Sequence, residues 1–253
     1  MTLPALIAFD LDQTLARSKE ALTSEMASLV AKLLMHTKVA VASGGKFEQF
    51  KKQVVDYLPD GAQLANLFLL PTSGASLYEY KDSVWQQVYE ARLTDDEIRN
   101  IRIALTKGTE STGLIDFSKQ AYGERIEDRG SEVSLSALGQ EAPVEEKQAW
   151  DPTHAKRETL RAAIAPLLPD FDVKVGGATT IDVTRHGVNK AFGIRKLSEH
   201  LHIPIENMLY VGDELREGGN DAVAKETGIR THEVSDPSET AHFILELLDS
   251  GTW

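Results

Sequence analysis

The 253-residue chain contains no cysteine, which excludes disulfides, thiolate zinc sites and thiol nucleophiles and leaves its redox compartment unconstrained. It is also short of positive charge. The 27 Lys and Arg against 39 Asp and Glu leave a net charge of -12, which opposes general attraction to nucleic acid or an anionic membrane, so neither is expected as a partner. No segment approaches the roughly 20 apolar residues needed to cross a bilayer, and the amino terminus lacks a basic region followed by an apolar stretch; a cytoplasmic protein is expected. Repeats, low-complexity tracts and Gly/Ser-rich linkers are missing too. Trp85, Trp150 and Trp253 have no platform spacing, which leaves packing as their role. His200 and His202 lack the spacing of a helical metal pair, so solvated or capping roles are expected of them.

What is present is ordinary globular material, 42% hydrophobic and 26% charged, long enough for one large domain or two modest ones. The first 75 residues alternate apolar strands with amphipathic helices, the pattern of a parallel sheet flanked by helices. Residues 6–9, 39–42 and 67–70 read as buried strands. Thr23 or Ser24 caps a helix with Met26, Leu29, Val30, Leu33 and Leu34 on one face. From about Ser76 to Thr184 the pattern becomes antiparallel, with helices expected after the capping box Thr94-Asp95-Asp96-Glu97 and from Asp151-Pro152. The segment from Gly139 to Gln148 reads as a mobile loop. After Gly187 the α/β alternation resumes, with a helix from Lys190 to about Leu201, a strand from Met208 to Val211, a helix near Asp221 to Glu226 and a strand at Ile229. The expected division is 1–81 plus 186–253 as the core, with 82–185 inserted.

The chemistry is concentrated where strands end. Asp10 and Asp12 follow the run Leu6-Ile7-Ala8-Phe9, at the carboxyl end of a predicted parallel strand, where α/β folds bind ligands. Like charges so close repel, and a cation would relieve the repulsion while leaving an oxygen free as a nucleophile. Alternatively the two acids form a polar turn with Asp12 as a cap. Ser43-Gly44-Gly45 follows a strand and precedes a helix, offering a hydroxyl and unhindered N–H groups to an anion, or simply a turn. Lys190 opens its helix, where the macrodipole disfavours a cation; an acidic partner or phosphate would resolve that, unless the lysine is solvated. Gly212-Asp213-Glu214 and Gly218-Gly219-Asn220-Asp221 add oxygen donors that suit magnesium better than zinc.

The segments Asp10-Leu11-Asp12-Gln13-Thr14, Ser43, Lys190 and Gly212-Asp213 resemble the four signatures of the haloacid-dehalogenase-like (HAD) phosphatases and phosphotransferases. Gly176 to Val183, His186 to Lys190 and the spaced Gly212-Asp213 and Gly218 to Asp221 resemble its eukaryotic-type phosphomannomutase branch (subfamily IIB). The resemblance implies a Rossmann-like, three-layer α/β core with an inserted α/β cap. It implies that Asp10 attacks phosphorus, that Asp12 is the general acid and base, and that Ser43 and Lys190 hold the phosphoryl oxygens. Mg²⁺ would involve Asp10, the Asp12 carbonyl, Asp213, Asn220 and Asp221, and Thr14, Gly44, Gly45, Arg125, Arg129, Thr180 and Asp182 would contact substrate. A homodimer is compatible with it.

Two departures matter. Gln13 replaces the usual glycine, and Gln140 stands where the mutase branch has an arginine for the distal phosphate; a neutral amide lacks the charge and fork of arginine. The expected function is accordingly a Mg²⁺-dependent phosphomonoester hydrolase acting on a small phosphorylated metabolite, a sugar phosphate. A phosphomannomutase-like mutase is the rival, and a noncatalytic phospholigand-binding protein stands below both.

Overall fold

Two units emerge from the contacts in the computed structural model, which describes residues 3–250. One comprises Met1–Glu90 and Val188–Trp253, the other Ala91–Gly187. The first unit begins with β1 (Leu6–Asp10), α1 (Ser24–Leu34), β2 (Lys38–Ala42), α2 (Phe47–Gln53), β3 (Leu67–Leu70), a single turn α3 (Pro71–Gly74), and the antiparallel pair β4 (Ser76–Lys81) and β5 (Val84–Glu90). The second holds α4 (Asp95–Thr112), β6 (Ile126–Asp128), β7 (Glu132–Ser136), α5 (Val144–Trp150), α6 (Ala155–Ile164), β8 (Phe171–Val175) and β9 (Thr180–Arg185). The chain then returns with α7 (Lys190–Leu201), β10 (Met208–Gly212), β11 (Arg230–Glu233) and α8 (Pro237–Ser250).

The first unit is built on a seven-stranded sheet in the order β11-β10-β1-β2-β3-β4-β5. The five strands from β11 to β3 are parallel, and alternate residues of each feed opposite faces. Ile7 and Phe9 pack with Met26, Val30, Leu33, Phe50, Ile244 and Leu247, whereas Leu6 and Ala8 pack with Ile194, Leu197 and Tyr210. Such two-sided burial is why these strands read as unbroken apolar runs rather than alternating ones. Thr23 caps α1 by accepting the Met26 N–H. The helix buries the face anticipated for it, and truncating a residue such as Leu33 to alanine would cost about 2–5 kcal/mol.

The second unit has a four-stranded antiparallel sheet, β6-β7-β9-β8. Val133, Leu135, Ile181 and Val183 face Ile101, Leu105, Leu160 and Ile164 of α4 and α6. The alternate positions Glu132, Ser134, Asp182 and Thr184 take the other face. The capping box forms as written, with Thr94 Oγ1 accepting the Glu97 N–H and Glu97 Oε2 accepting the Thr94 N–H.

The expected division is corrected at both ends, to 90/91 and 187/188. Residues 84–90 alternate as an insertion strand should, but they pair with β4 and extend the first unit's sheet, because hairpin pairing is decided by the adjacent strand. Residues 144–148, half of the expected mobile loop, belong to α5. The helix anticipated from Asp151-Pro152 begins at Ala155, with Asp151 accepting the Lys156 and Arg157 N–H groups. The segment near Asp221 is a 3-10 helix, Ala222–Thr227. Trp85 packs edge-on against Phe47 and Tyr80, and Lys156 lies over Trp150; Trp253 lies outside the described residues. His202 adopts the left-handed conformation at the C-cap of α7, while His200 Nε2 meets Glu79 at 2.8 Å. Among the described residues no helix is long and apolar enough to cross a membrane.

Candidate active site

The parallel register brings the chemistry-bearing ends of β1, β2 and β10 together. Asp10 ends β1 opposite Ala42, one residue before Ser43, and Phe9 lies opposite Val211, two residues before Asp213. Asp10, Asp213 and Asp221 converge, each contributing one carboxylate oxygen, with those oxygens within 4.8 Å of one another. Asp10 and Asp221 are buried and Asp213 is half-buried.

Lys190 enters this cluster from the first turn of α7. Asn189 caps the helix by accepting the Phe192 N–H, and the Lys190 ammonium is buried. Its Nζ donates to Asp10 Oδ1 at 2.6 Å, to Asp221 Oδ1 at 2.5 Å and also to Asn220 Oδ1. The carboxylates thus resolve the conflict between a cation and a helix amino terminus.

Electrostatics follow from the crowding. Burial pushes the Asp10 carboxyl up to about 7; Lys190 opposes this, while Asp221 and Asp213 reinforce it. Burial, then Asp221, also raises Asp213. Burial works against the Lys190 ammonium, but Asp10 and Asp221 outweigh it and keep the group charged. Three carboxylates around one ammonium leave negative charge uncompensated, and the donors are all oxygens. A hard divalent ion fits both facts.

Asp12 lies beside the cluster and not within it. Its Oδ1 accepts the Lys19 N–H at 2.8 Å and its Oδ2 accepts from Ser43 Oγ at 3.4 Å. Gln13 is left-handed, with φ 59, so the turn keeps the conformation for which glycine is suited despite a side chain there. Thr14, expected among the substrate contacts, is fully buried and donates its hydroxyl to Asp213 Oδ1 at 3.2 Å. Gly45 donates its N–H to Ser43 Oγ at 3.3 Å.

The expected substrate residues of the second unit form their own arrangement. Arg129 reaches Glu127 Oε2 at 2.8 Å, Glu132 Oε1 at 2.7 Å and Gln140 Oε1 at 3.4 Å. Glu132 is pushed up to about 8, first by burial and then by Asp182. Asp182 accepts from Ser134 Oγ at 2.6 Å. The Thr180 N–H closes a turn onto the Gly177 carbonyl. Arg125 is used structurally, donating to the Ala137 and Lys119 carbonyls and lying over Phe117.

Sequence reasoning missed Tyr210, whose hydroxyl donates to Asp221 Oδ1 at 2.5 Å. Within an apolar strand it reads as core. It also missed the backbone of Glu214, which donates to Asp221 Oδ2 at 3.1 Å, and the Glu214 carboxylate, which accepts from Asn220 Nδ2 at 2.9 Å. The return of the chain from Glu214 to Asp221 was the available signal.

Known proteins share this architecture. The chain aligns with phosphomannomutase 2 of Dictyostelium discoideum at 25% identity, over 84% of this chain and 83% of that protein. It aligns with a probable phosphomannomutase of Caenorhabditis elegans at 23%, over 98% of each. In structure it superposes on IMP-bound IMP-nucleotidase of Plasmodium falciparum with a TM-score of 0.68 at 19% identity, covering 98% of this chain and 68% of that one. A haloacid dehalogenase-like hydrolase from Bacteroides thetaiotaomicron gives 0.64 at 13%, covering 96% and 98%. The sequence model of the eukaryotic phosphomannomutase family matches residues 26–250, taking in Ser43, Lys190 and the Asp213 to Asp221 return, so the chain belongs to that family and is an enzyme of the HAD type, a phosphatase or a mutase.

Proposed function

We infer that the protein is a Mg²⁺-dependent phosphomonoester hydrolase acting on a small phosphorylated metabolite, a sugar phosphate, through an aspartyl-phosphate intermediate. The observation that carries this reading is the buried Asp10 carboxylate, held 2.6 Å from Lys190 and grouped with Asp213 and Asp221. Asp10, Asp213 and Asp221 would hold the ion, with Asn220 and the Asp12 carbonyl completing its surroundings. When bound, Mg²⁺ supplies positive charge that offsets the anionic transferring group.

One Asp10 oxygen attacks phosphorus in line with the ester oxygen, the P–O ester bond breaks, and Asp12 gives its proton to the departing alkoxide. Water then attacks the phosphorus of the aspartyl phosphate. Asp12, now a carboxylate, takes a proton from that water, and inorganic phosphate leaves with Asp10 restored. Ser43 Oγ, the Gly44 and Gly45 backbone and the Lys190 ammonium hold the non-bridging oxygens and stabilise the charge that spreads over them.

The phosphomannomutase names of the sequence relatives favour a second reading, in which a sugar phosphate replaces water as acceptor. Against it stands the state of Arg129. Its guanidinium is engaged by two carboxylates and an amide, a poor arrangement for gripping a second phosphate. Following free phosphate and isomerised sugar phosphate in parallel across a sugar phosphate panel separates the two. Phosphate release is expected to dominate; bisphosphate-dependent interconversion that outpaces release would reverse the preference. Asp10→Asn should abolish trapping of beryllium fluoride, and unchanged trapping would remove Asp10 as the nucleophile.

A further inference from the structure

Asp10 and Ser43 end neighbouring strands, so the register of β1 and β2 fixes their spacing. Lys190 has no such constraint: it sits on a helix that no strand ladder ties down. Yet its ammonium must meet the same phosphoryl group, so another contact has to set where α7 lies along its axis. The turn Pro71–Gly74 touches both parts.

On one side, the Thr72 N–H donates to the Gly45 carbonyl at 2.9 Å and the Ser73 N–H to the Ser43 carbonyl at 2.8 Å. Two backbone bonds thereby hold the Ser43–Gly45 loop. On the other side, Gly74 abuts Gly193 of α7 so closely that a Cβ on Gly74 would lie 2.9 Å from Gly193 Cα, and a Cβ on Gly193 would lie 2.8 Å from Gly74 Cα. The Gly74 carbonyl accepts the Tyr89 hydroxyl at 2.7 Å. To make these contacts Thr72 and Ser73 both take left-handed backbone, φ 51 and 53. Residues with side chains adopt it at a cost, and it persists where surrounding contacts over-determine it.

We propose that the Thr72–Gly74 turn, through its contact with Gly193, is a positioning element that holds Ser43 and Lys190 at one spacing around Asp10. The proposal rests on the phosphoryl-transfer reading of those three residues and assigns no substrate contact to the turn. Its test is Gly193→Ala. Alanine is the better helix former, so the helix itself is not weakened, while the added methyl meets Gly74. Displacing a catalytic group by about 1 Å can cost about 100-fold. A folded variant is therefore expected to lose about 10- to 100-fold in kcat with KM little changed, and to show faster deuterium exchange at the Thr72 and Ser73 amides. Tyr89→Phe, a gentler change, should move both readouts the same way by less, and decides the matter if Gly193→Ala does not fold. Parent kcat and parent exchange in folded Gly193→Ala, or in Tyr89→Phe where that one does not fold, would overturn the proposal. If the parent protein releases no phosphate from any ester, the hydrolase reading fails instead, and amide exchange at Thr72 and Ser73 still decides the positioning role.

Discussion

Lys190 Nζ lies 2.6 Å from Asp10 Oδ1 and 2.5 Å from Asp221 Oδ1, so one buried ammonium offsets two buried carboxylates from distant parts of the chain. Removing it leaves both uncompensated. Lys190→Met should lose about 3–5 kcal/mol of stability at neutral pH, measured by urea denaturation. Added Mg²⁺ should recover part of that loss by neutralising the same carboxylates. A variant as stable as the parent without the ion would contradict the assigned charge balance.

The raised Asp10 carboxyl sets a pH dependence. At about 7 in the folded protein against an ordinary 3.8, it holds a proton that the unfolded chain has already released. In ion-free protein the stability tied to this group is complete below 3.8 and is lost as pH rises from there through 7. A cation needs the carboxylate, so Mg²⁺ affinity should fall about tenfold per pH unit below 7 and level off above it. Titration calorimetry in buffers of different ionisation enthalpy should find close to one proton released near pH 6 and almost none near pH 8.5. A flat affinity profile would exclude Asp10 from the ion site.

In the second unit, Arg157 is buried, donating to Asp151 Oδ2 at 2.9 Å and to the Gly177 carbonyl at 2.7 Å. It joins the start of α6 to the loop between β8 and β9. Arg157→Ala strands a buried carboxylate and should cost about 3–5 kcal/mol, while Mg²⁺ affinity stays at the parent value because the cluster lies in the other unit. Chemical denaturation and calorimetry on the same sample check both; lost ion binding in a folded variant would refute the second expectation.

Gln140 accepts from Arg129 at 3.4 Å. Replacing it with arginine adds a second guanidinium beside one already occupied by Glu127 and Glu132. On the hydrolase reading, Gln140→Arg should tighten inhibition by a hexose bisphosphate by about tenfold and leave release from a monophosphate nearly unchanged. Inhibition constants measured for parent and variant provide the check, and equal constants would rule out this face as a distal phosphate subsite.

Much of this was legible locally. The runs before Asp10, Ser43 and Asp213 are strands because two-sided burial demands unbroken apolar residues, and Thr23 and the Thr94–Glu97 box cap helices because their threonine side chains reach N–H groups three residues ahead. The alternation of Val84 to Glu90 says nothing about which strand it will pair with, so its pairing with β4 is not legible in the segment. Tyr210 looked like core because a hydroxyl's partner cannot be read from its own strand.

The amino-acid order by itself determined the strands, the capped helices and the acids placed where strands stop, since each depends on residues within a few positions. Tertiary structure alone decided that Lys190 bridges Asp10 and Asp221 and that Thr72 and Ser73 turn left-handed against Gly193. Those outcomes are energies of juxtaposition: desolvated charge, shared protons and close backbone contact arise only when segments far apart in sequence are brought within a few ångströms.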